Sequence, residues 1–362
     1  MSPTVPFGIY VHIPFCLERC DYCAFATWTD RSHLMGRYAR ACVRQARDAD
    51  LAPASSVFFG GGTPSLLEPD LFVQILDALP RRADAEVTVE CNPETVTPTL
   101  LAAYRESGVT RLSFGVQSMV PEVLSSLGRR HDPATVRGAV AAAADAGFGD
   151  AYSVDLIFGA AGESVAEWRR SLEEVLALEP GPSHVSAYGL TVEPGTPLAA
   201  DRRRHPDLDD QADKYALTDD LLEQAGLAWY EISNWARPGA ECAHNRLYWR
   251  QGHYRGIGCA AHSHEVLADG CSKRWWNVRT PERYVKLVEG GADPEAACEI
   301  LDPETRRWEA LTLALRTREG VPLDALADDP LLDDLVRSAS DRAVLTLRGR
   351  LLANEVMARL VS

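Results

Sequence analysis

The sequence predicts an α/β protein whose larger part is a partial (β/α)6 barrel, an open parallel sheet covered by helices. Strand-like and helix-like segments alternate from residue 8 to about residue 192, an order typical of parallel strands joined by right-handed crossovers. The helix-like segments also begin and end at recognisable capping residues. Six units, instead of the eight that close a barrel, predict a sheet that stays open.

The six predicted strands are short apolar or alternating runs. In the first of them, Ile9, Val11 and Ile13 lie on one side. Tyr10 and His12 lie on the other side. The predicted strands span residues 8–13, 56–59, 86–90, 111–116, 151–158 and 184–192.

The helices between these strands are marked by their ends. Thr97 and Asp132 are each followed by proline, which is the pattern of an N-cap with proline at the first helical position. Ser164 and Glu167 have the spacing of a capping box. The expected helix stops are Gly108 and Gly147. The apolar face of the helix predicted over residues 69–79 consists of Leu71, Phe72, Ile75, Leu76 and Leu79.

The chain beyond the barrel is predicted to form two smaller parts. Residues 199–214 are highly charged and carry a proline, which indicates a boundary or surface segment, and a helix and a strand at 229–232 follow. Residues 302–362 predict helices with a strand pair near 344–352. We therefore divide the chain into the barrel (1–200), an α+β extension (201–300) and a small winged-helix-like end domain (301–362).

Composition narrows the classes of function. The chain has 362 residues, of which 46% are hydrophobic and 25% are charged, as in an ordinary globular protein. A net charge of -15 argues against a broad nucleic-acid surface, which is normally basic. The first residues show neither a basic start nor a long apolar run, so we expect a cytoplasmic protein.

Three cysteines near the start carry the strongest chemical signal. Cys16, Cys20 and Cys23 have the spacing C-x3-C-x2-C, which suits three irons of a [4Fe-4S] cubane and leaves the fourth iron open. A zinc site would need a fourth ligand, and His12 has poor spacing for that role. Three unrelated buried cysteines are the remaining alternative. The other six cysteines are scattered, and we expect no disulfides among them.

Further candidate residues follow the predicted strands, where parallel sheets gather functional groups. Residues 60–63 (Gly-Gly-Gly-Thr) follow the second strand, although a glycine run alone is usually only a tight turn. Glu90 and Gln117 end the third and fourth strands, and Asp155 lies inside the fifth. A carboxylate inside an apolar strand is costly unless it is paired, which favours a functional role for Asp155.

The cysteine spacing behind a strand resembles the radical S-adenosylmethionine (SAM) superfamily. The run YVHIPFC at residues 10–16 is more specific and resembles the oxygen-independent coproporphyrinogen III oxidase family, within it the HemW branch of haem chaperones. This resemblance implies a [4Fe-4S] cluster on the three cysteines and bound SAM. The residues that it assigns to cofactor binding are Tyr10, Tyr22, Gly61, Gly62, Thr63, Glu90, Gln117, Arg129, Asp155 and Gly189. No residue is assigned a catalytic role.

Two features separate the branches of that family. The catalytic enzymes usually continue the cluster motif to a fourth cysteine, where this chain has Phe25, and they carry a long extension where only fifteen residues precede Cys16 here. Residues 244–249 (HNRLYW) match the H-N-x-x-Y-W motif of HemW, which makes His244 the predicted haem residue. A satisfied histidine in an aromatic core is the alternative, and His253, His262 and His264 are further candidates.

Three functions are therefore carried forward. The first is a radical-SAM-type haem chaperone that passes haem to an unidentified acceptor protein and uses an electron donor. The second is a SAM-dependent decarboxylase of coproporphyrinogen III, and the third is an iron–sulfur protein without haem function. Peripheral association with a membrane is left open, and no nucleic-acid partner is expected.

Overall fold

Strands and helices alternate along the chain in the structure, a computed structural model that describes residues 6–361. Each of the six predicted barrel strands is present, and the second and third are longer than their apolar runs suggested. These strands are β1 Phe7–Ile13, β2 Ala54–Gly61, β3 Arg81–Cys91, β4 Arg111–Gln117, β5 Tyr152–Phe158 and β6 His184–Gly189.

The six strands pair in parallel and in chain order from β1 to β6. Within the described residues β1 and β6 do not pair with each other, so the sheet is open, as predicted. Ile9, Val11 and Ile13 are fully buried beneath the covering helices. Tyr10 and His12 point to the opposite, inner face, which confirms the alternation read from the sequence.

Strands from the extension lengthen this sheet at both edges, which the sequence did not predict. They are β7 Ala228–Glu231, β8 Asn234–Ala236, β9 His253–Ile257, β10 His262–Val266, β11 Ser272–Asn277 and β12 Glu295–Leu301. The resulting twelve-stranded order is β12-β11-β10-β9-β1-β2-β3-β4-β5-β6-β8-β7. β9 runs parallel to β1, whereas the other added strands are antiparallel to their neighbours. The strand predicted near residue 229 is β7.

Helices cover the outer face of the sheet. The barrel helices are α1 Met35–Asp48, α2 Pro69–Asp77, α3 Pro98–Ser107, α4 Pro121–Ser126, α5 Pro133–Asp145, α6 Val165–Leu176 and α7 Pro197–Ala200. Those that follow are α8 Leu208–Gln224, α9 Ala243–Trp249, α10 Pro281–Glu289, α11 Pro303–Leu315, α12 Leu347–Leu351 and α13 Ala353–Met357. α8 begins inside the segment that the sequence marked as a boundary.

The predicted caps are present. The Thr97 side chain accepts a hydrogen bond from the Leu100 N–H at 3.2 Å, and the capping box of Ser164 and Glu167 is complete. Gly108 ends α3 with φ 96°, in the left-handed region that favours glycine. Local sequence therefore determines where these helices start and stop.

The end domain has its own small core and a three-stranded sheet in the order β13-β15-β14. Its strands are β13 Val321–Pro322, β14 Val336–Ala339 and β15 Arg342–Leu345. The strand pair expected near 344–352 was placed wrongly, because α12 occupies most of that range. Arg350 joins this domain to the barrel side, since it donates to Asp219 at 2.7 Å and lies 4.5 Å over the Trp229 ring. Within residues 6–361, the helices are all too short or too polar to cross a membrane.

Candidate cofactor site

The three motif cysteines lie in the loop after β1, at the carboxyl end of the sheet. The loop closes on itself, because the Cys16 N–H donates to the Trp28 carbonyl at 3.1 Å and the Trp28 N–H donates to the Pro14 carbonyl at 2.8 Å. All three thiols are partly exposed and none is in a disulfide. Burial raises the pKa of the Cys16 and Cys23 thiols. A bound metal cluster would instead hold them as thiolates.

Two neighbouring groups donate toward these sulfurs. The Thr63 hydroxyl lies 3.7 Å from Cys16 Sγ, and Arg129 Nη1 lies 3.6 Å from Cys20 Sγ. A donor and a guanidinium beside sulfur suit a thiolate ligand. Among residues 6–361, no three His, Cys, Asp or Glu side chains are arranged to hold a single metal ion. A cubane cluster differs from such an ion because its thiolates bind different irons.

The glycine run after β2 packs against the start of the cysteine loop. The Gly62 N–H donates to the Ile13 carbonyl and the Thr63 N–H donates to the Phe15 carbonyl, both at 2.8 Å. A Cβ at Gly62 would lie 2.6 Å from the Phe15 carbonyl oxygen. A Cβ at Gly61, whose φ is 111°, would lie 2.5 Å from the His12 ring. These glycines therefore let two loops approach closely, which itself positions Cys16 beside Thr63.

Two carboxyl groups face the same space. Glu90 Oε2 accepts from the Gly61 N–H at 3.0 Å, and Asp155 Oδ2 accepts from the Ser113 hydroxyl at 2.9 Å. Burial, with a smaller contribution from the nearby Asp155, raises the pKa of Glu90 to about 7. Burial also raises the pKa of Asp155. Within residues 6–361 neither carboxyl group forms an ion pair, so both are available to a cationic ligand.

Arg129 is held by a side chain after β3 and a carbonyl of β4. Its Nη2 donates to Asn92 Oδ1 at 3.0 Å and to the Gly115 carbonyl at 2.9 Å. Its Nε is buried and has no partner in the protein. Asn92, which sequence reasoning missed, lies two residues after Glu90, so the strand end carried a signal for it. Gln117 at the end of β4 has φ 66°, an uncommon conformation outside glycine.

These groups line one cavity of about 630 Å³, which we call the upper cavity. Exposed Phe25, at 66% of its surface, and half-exposed Tyr188 also lie on its wall. The structure thus brings together most of the predicted site. The predicted residues on this wall are Cys16, Cys20, Tyr22, Cys23, Gly61, Gly62, Thr63, Glu90, Gln117, Arg129, Asp155 and Gly189.

Tyr10 and His244 are not on that wall. They line a second space of about 230 Å³ beneath the upper cavity, which we call the inner chamber. The Tyr10 hydroxyl is hydrogen-bonded to His12 Nδ1 at 3.0 Å. Tyr10 therefore faces the interior of the curved sheet, away from the cysteines, and its predicted role in cofactor binding stays a prediction.

His244 lies on α9, which packs against β1 and β2 at the amino end of the sheet. Its ring is 1% exposed, with Nδ1 3.0 Å from Ser56 Oγ and Nε2 2.9 Å from the Tyr248 hydroxyl. Burial lowers the pKa of His244 to about 3, so the ring is neutral. The imidazole has the arrangement of a satisfied core histidine, the alternative that the sequence left open. Haem iron could bind it only after one of these hydrogen bonds breaks.

The other candidate histidines lie where strands β9 and β10 extend the sheet. His262 is exposed and stacks on Trp276, with ring centroids 5.6 Å apart. His264 is buried, and its Nδ1 is hydrogen-bonded to the Gly252 carbonyl at 2.9 Å. His253, at the start of β9, is half-buried. The structure therefore ranks His262 as the most accessible imidazole of the four on an aromatic surface.

An open parallel sheet with three cysteines after its first strand and a polar cavity at its carboxyl end defines the radical SAM class. The Radical SAM superfamily matches residues 10–175. The solved structure of coproporphyrinogen III oxidase (HemN) from Escherichia coli, a radical SAM enzyme, aligns with a TM-score of 0.82. It covers 99% of this chain and 90% of that one at 24% identity, a likeness that shows the fold.

Curated relatives narrow the class. The heme chaperone HemW of Mycobacterium tuberculosis (strain H37Rv) is 41% identical over 99% of this chain and 96% of its own length. HemW of Escherichia coli (strain K12) is 34% identical over 94% of this chain and 90% of its own. The mouse mitochondrial radical S-adenosyl methionine domain-containing protein 1 is 36% identical over 88% and 75%. The chain therefore belongs to the HemW family.

Proposed function

We propose that this protein is a haem chaperone of the radical SAM type, which holds a [4Fe-4S] cluster, SAM and haem and passes haem to an acceptor protein. The observation that carries the proposal is full-length similarity, up to 41% identity, to relatives that are named heme chaperones. We place it in the cytoplasm, where thiols stay reduced and an electron donor is available. Its net charge of -15 gives no support for a nucleic-acid partner.

The residues of the upper cavity fit a cluster and SAM. Three thiols lie on one side of a space of about 630 Å³, and two carboxyl groups without ion pairs lie on another. When bound, the cluster and SAM supply one-electron cleavage of a carbon–sulfur bond. Cys16, Cys20 and Cys23 would hold the cluster, with Thr63 and Arg129 donating toward two of the sulfurs. Glu90 and Asp155 would face the positively charged groups of SAM.

The haem site is proposed in two forms that an experiment can separate. In the first, His244 binds haem iron after release from Ser56 or Tyr248, as the HNRLYW motif suggests. In the second, exposed His262 binds the iron, with the flat Trp276 ring beside it. The second form requires no broken hydrogen bond of the protein, since within residues 6–361 the His262 ring forms none. Both forms predict haem bound by imidazole.

Haem titration of the purified protein tests both forms. We expect a Soret band with a stoichiometry near one haem per chain, lost or shifted in either His244→Ala or His262→Ala. Trp276→Leu is the matched variant for the second form and should weaken binding together with His262→Ala. Unchanged Soret spectra in both histidine variants would remove both residues from the haem site.

The same preparation separates the chaperone from the decarboxylating enzyme. Cluster-loaded protein is incubated without oxygen with SAM, a reductant and coproporphyrinogen III, and porphyrin products are read by chromatography. We expect an electronic spectrum of the cluster that responds to SAM, and no multiple-turnover porphyrin product. Sustained formation of protoporphyrinogen would overturn the proposal, and a cluster that ignores SAM would support the iron–sulfur protein without haem function.

A further inference from the structure

The inner chamber lies directly beneath the upper cavity. Four side chains belong to the walls of both spaces: Glu90, Ser113, Asp155 and Tyr188. Groups in the chamber therefore act on the same two carboxyl groups that face a ligand from above. Of the proposed function, only the first form of the haem site, through His244, involves this second space.

The chamber wall carries buried polar atoms that have no partner in the protein. They are Nε and Nη2 of Arg111, Nδ1 of His184 and the hydroxyl of Thr88. These residues are at most 7% exposed, and Arg111 makes one hydrogen bond from Nη1 to the Ala240 carbonyl at 2.7 Å. A buried donor left unsatisfied costs about 1–3 kcal/mol. A polar space of about 230 Å³ is far larger than the roughly 15 Å³ that one water needs, so it can hold several waters on these atoms.

Charge in the chamber comes from very few groups. Burial raises the pKa of the four tyrosines on its wall and lowers the pKa of its two histidines, so all six are neutral. They are Tyr10, Tyr188, Tyr230, Tyr248, His184 and His244. Burial also raises the pKa of Cys242 to about 12. Within the described residues, Arg111 is the one lysine or arginine on this wall, and its charge acts on Asp155.

Other carboxylates near the chamber are already engaged. Glu86 accepts from the backbone N–H groups of Ala243 and His244 at the start of α9, at 3.1 and 3.2 Å. Glu231 accepts from the Asn245 side chain at 3.0 Å and from the Ser233 N–H at 2.9 Å. Arg111 and Asp155 lie on adjacent strands, β4 and β5, without direct contact between their side chains. Burial raises the pKa of Asp155, and this is opposed by hydrogen bonds from Ser186 and Ser113 and, to a smaller extent, by attraction to Arg111.

We propose that ordered water in the inner chamber joins Arg111 to Asp155, and that Arg111 thereby sets Asp155 as the ionised member and Glu90 as the protonated member of the carboxyl pair. Arg111 is a positioning residue, because it acts through Asp155. A cationic ligand in the upper cavity then displaces the proton of Glu90, which leaves to solvent. The identity of that ligand as SAM rests on the proposed function, whereas the division of charge does not.

Proton release on ligand binding tests the proposal. SAM is titrated into the cluster-loaded protein by calorimetry, in buffers of different ionisation enthalpy from pH 6 to 8.5. SAM would also release its own α-ammonium proton if that nitrogen bound the cluster iron, so the quantity compared is the release by wild type minus the release by Glu90→Gln. We expect this difference to be about one proton near pH 6 and to fall toward zero above pH 8, and the affinity of wild type relative to Glu90→Gln to rise about tenfold per pH unit below pH 7. Arg111→Met should release more protons than wild type, because Asp155 is then protonated as well. Arg111→Lys should restore the wild-type profile, and exposed Arg137→Met on α5 is the matched control.

Infrared spectroscopy of the ligand-free protein tests the same assignment without SAM. Because burial also raises the pKa of Glu163 and Glu231, the test is a difference spectrum. At pH 6 a protonated-carboxyl band of wild type should be lost in Glu90→Gln and retained in Asp155→Asn. Arg111→Met should add a second such band. A band that survives in Glu90→Gln but disappears in Asp155→Asn would overturn the proposal. So would an Arg111→Met variant that binds SAM more weakly at every pH with unchanged proton release. Failure of the wild-type protein to bind SAM would count against the proposed function alone.

Discussion

The polar groups of the two sequence motifs, at opposite ends of the curved sheet, differ in how many of their hydrogen bonds and ion pairs are already formed within the protein. At the carboxyl end, two carboxyl groups lack ion pairs and Arg129 has an unpartnered Nε beside the cysteines. At the amino end, both ring nitrogens of His244 are hydrogen-bonded, and Asn245 donates to Tyr230 and Glu231. The C-x3-C-x2-C motif at the carboxyl end and the HNRLYW motif at the amino end are equally conspicuous in the sequence. Only the cysteine motif and its neighbours present free bonding capacity, which is what a ligand site requires. The unpartnered atoms of Arg111 and His184, also at the amino end, lie outside the second motif.

The largest effect is expected at the carboxyl end. Cys20→Ser removes one of three thiols and the sulfur that Arg129 contacts, so cluster content should fall to near zero. Cys298→Ser, at an exposed position on β12, is the matched control and should keep full content. Iron and sulfide are counted per chain after anaerobic reconstitution. Equal losses in the two variants would mean that Cys20 is no ligand.

At the amino end, the main expected effect of a substitution is a loss of unfolding free energy. His244→Ala leaves Ser56 and Tyr248 without their partner and opens a cavity beside Phe58, so unfolding free energy should fall by about 3 kcal/mol. The exposed His262→Ala variant should change it by less than about 0.5 kcal/mol. Urea unfolding of the cluster-free protein measures both. A His244→Ala variant as stable as His262→Ala would refute the satisfied arrangement of the ring.

Glu90 should make stability depend on pH. Its pKa is about 7 in the folded protein and near 4.5 when unfolded, so between these values the folded state binds more protons. Stability from this group is therefore present below pH 4.5 and is lost as pH rises to 7, by on the order of 3 kcal/mol. Buried histidines such as His244 act in the opposite direction, so the test is the difference between Glu90→Gln and wild type. Urea unfolding at pH 5 and pH 7.5 should show Glu90→Gln gaining relative stability at the higher pH, and a constant difference would contradict this.

A change outside both motifs gives the smallest effect. Ser164→Ala removes the capping box of α6, where the Ser164 hydroxyl accepts from the Glu167 N–H at 3.2 Å. We expect a loss of about 1 kcal/mol in unfolding free energy, with cluster content and pH dependence unchanged. Thermal unfolding with iron analysis checks both. Altered cluster content would show that the start of α6 influences the cysteine loop.

The barrel strands and helices could be predicted from sequence because the features that define them are local. Alternation in β1 and the caps at Thr97 and Ser164 depend on residues within a few positions of each other. The addition of β9 to the free edge of β1 depends on pairing between residues about 240 positions apart, such as Phe7 with His253, and no local pattern encodes it. The end-domain strand pair was misplaced although it is local, since β14 and β15 form a hairpin over residues 336–345 and the apolar residues after it, such as Leu347 and Leu351, belong to α12.

In the candidate site, too, features set by neighbouring residues could be predicted and features set by distant residues could not. Glu90 could be predicted because parallel strands gather their carboxyl ends at one edge, and Asp155 because a carboxylate inside an apolar strand is costly unless it is paired. The satisfied state of His244 could not, because Ser56 lies on a strand nearly two hundred residues earlier. Arg111 and the inner chamber also escaped notice, since a chamber exists only once six strands curve around it.

The pairing of β1 with β9 bears on how the chain is made. β1 is synthesised first, yet one of its two partners ends at Ile257. At 5–20 residues per second, a ribosome needs roughly 10–50 s to reach that point. Throughout this interval the strand that leads into the cysteine loop has an unpaired edge of the kind that promotes misassociation. The risk of misassociation at the edge of β1 is therefore highest during translation, before β9 has been synthesised.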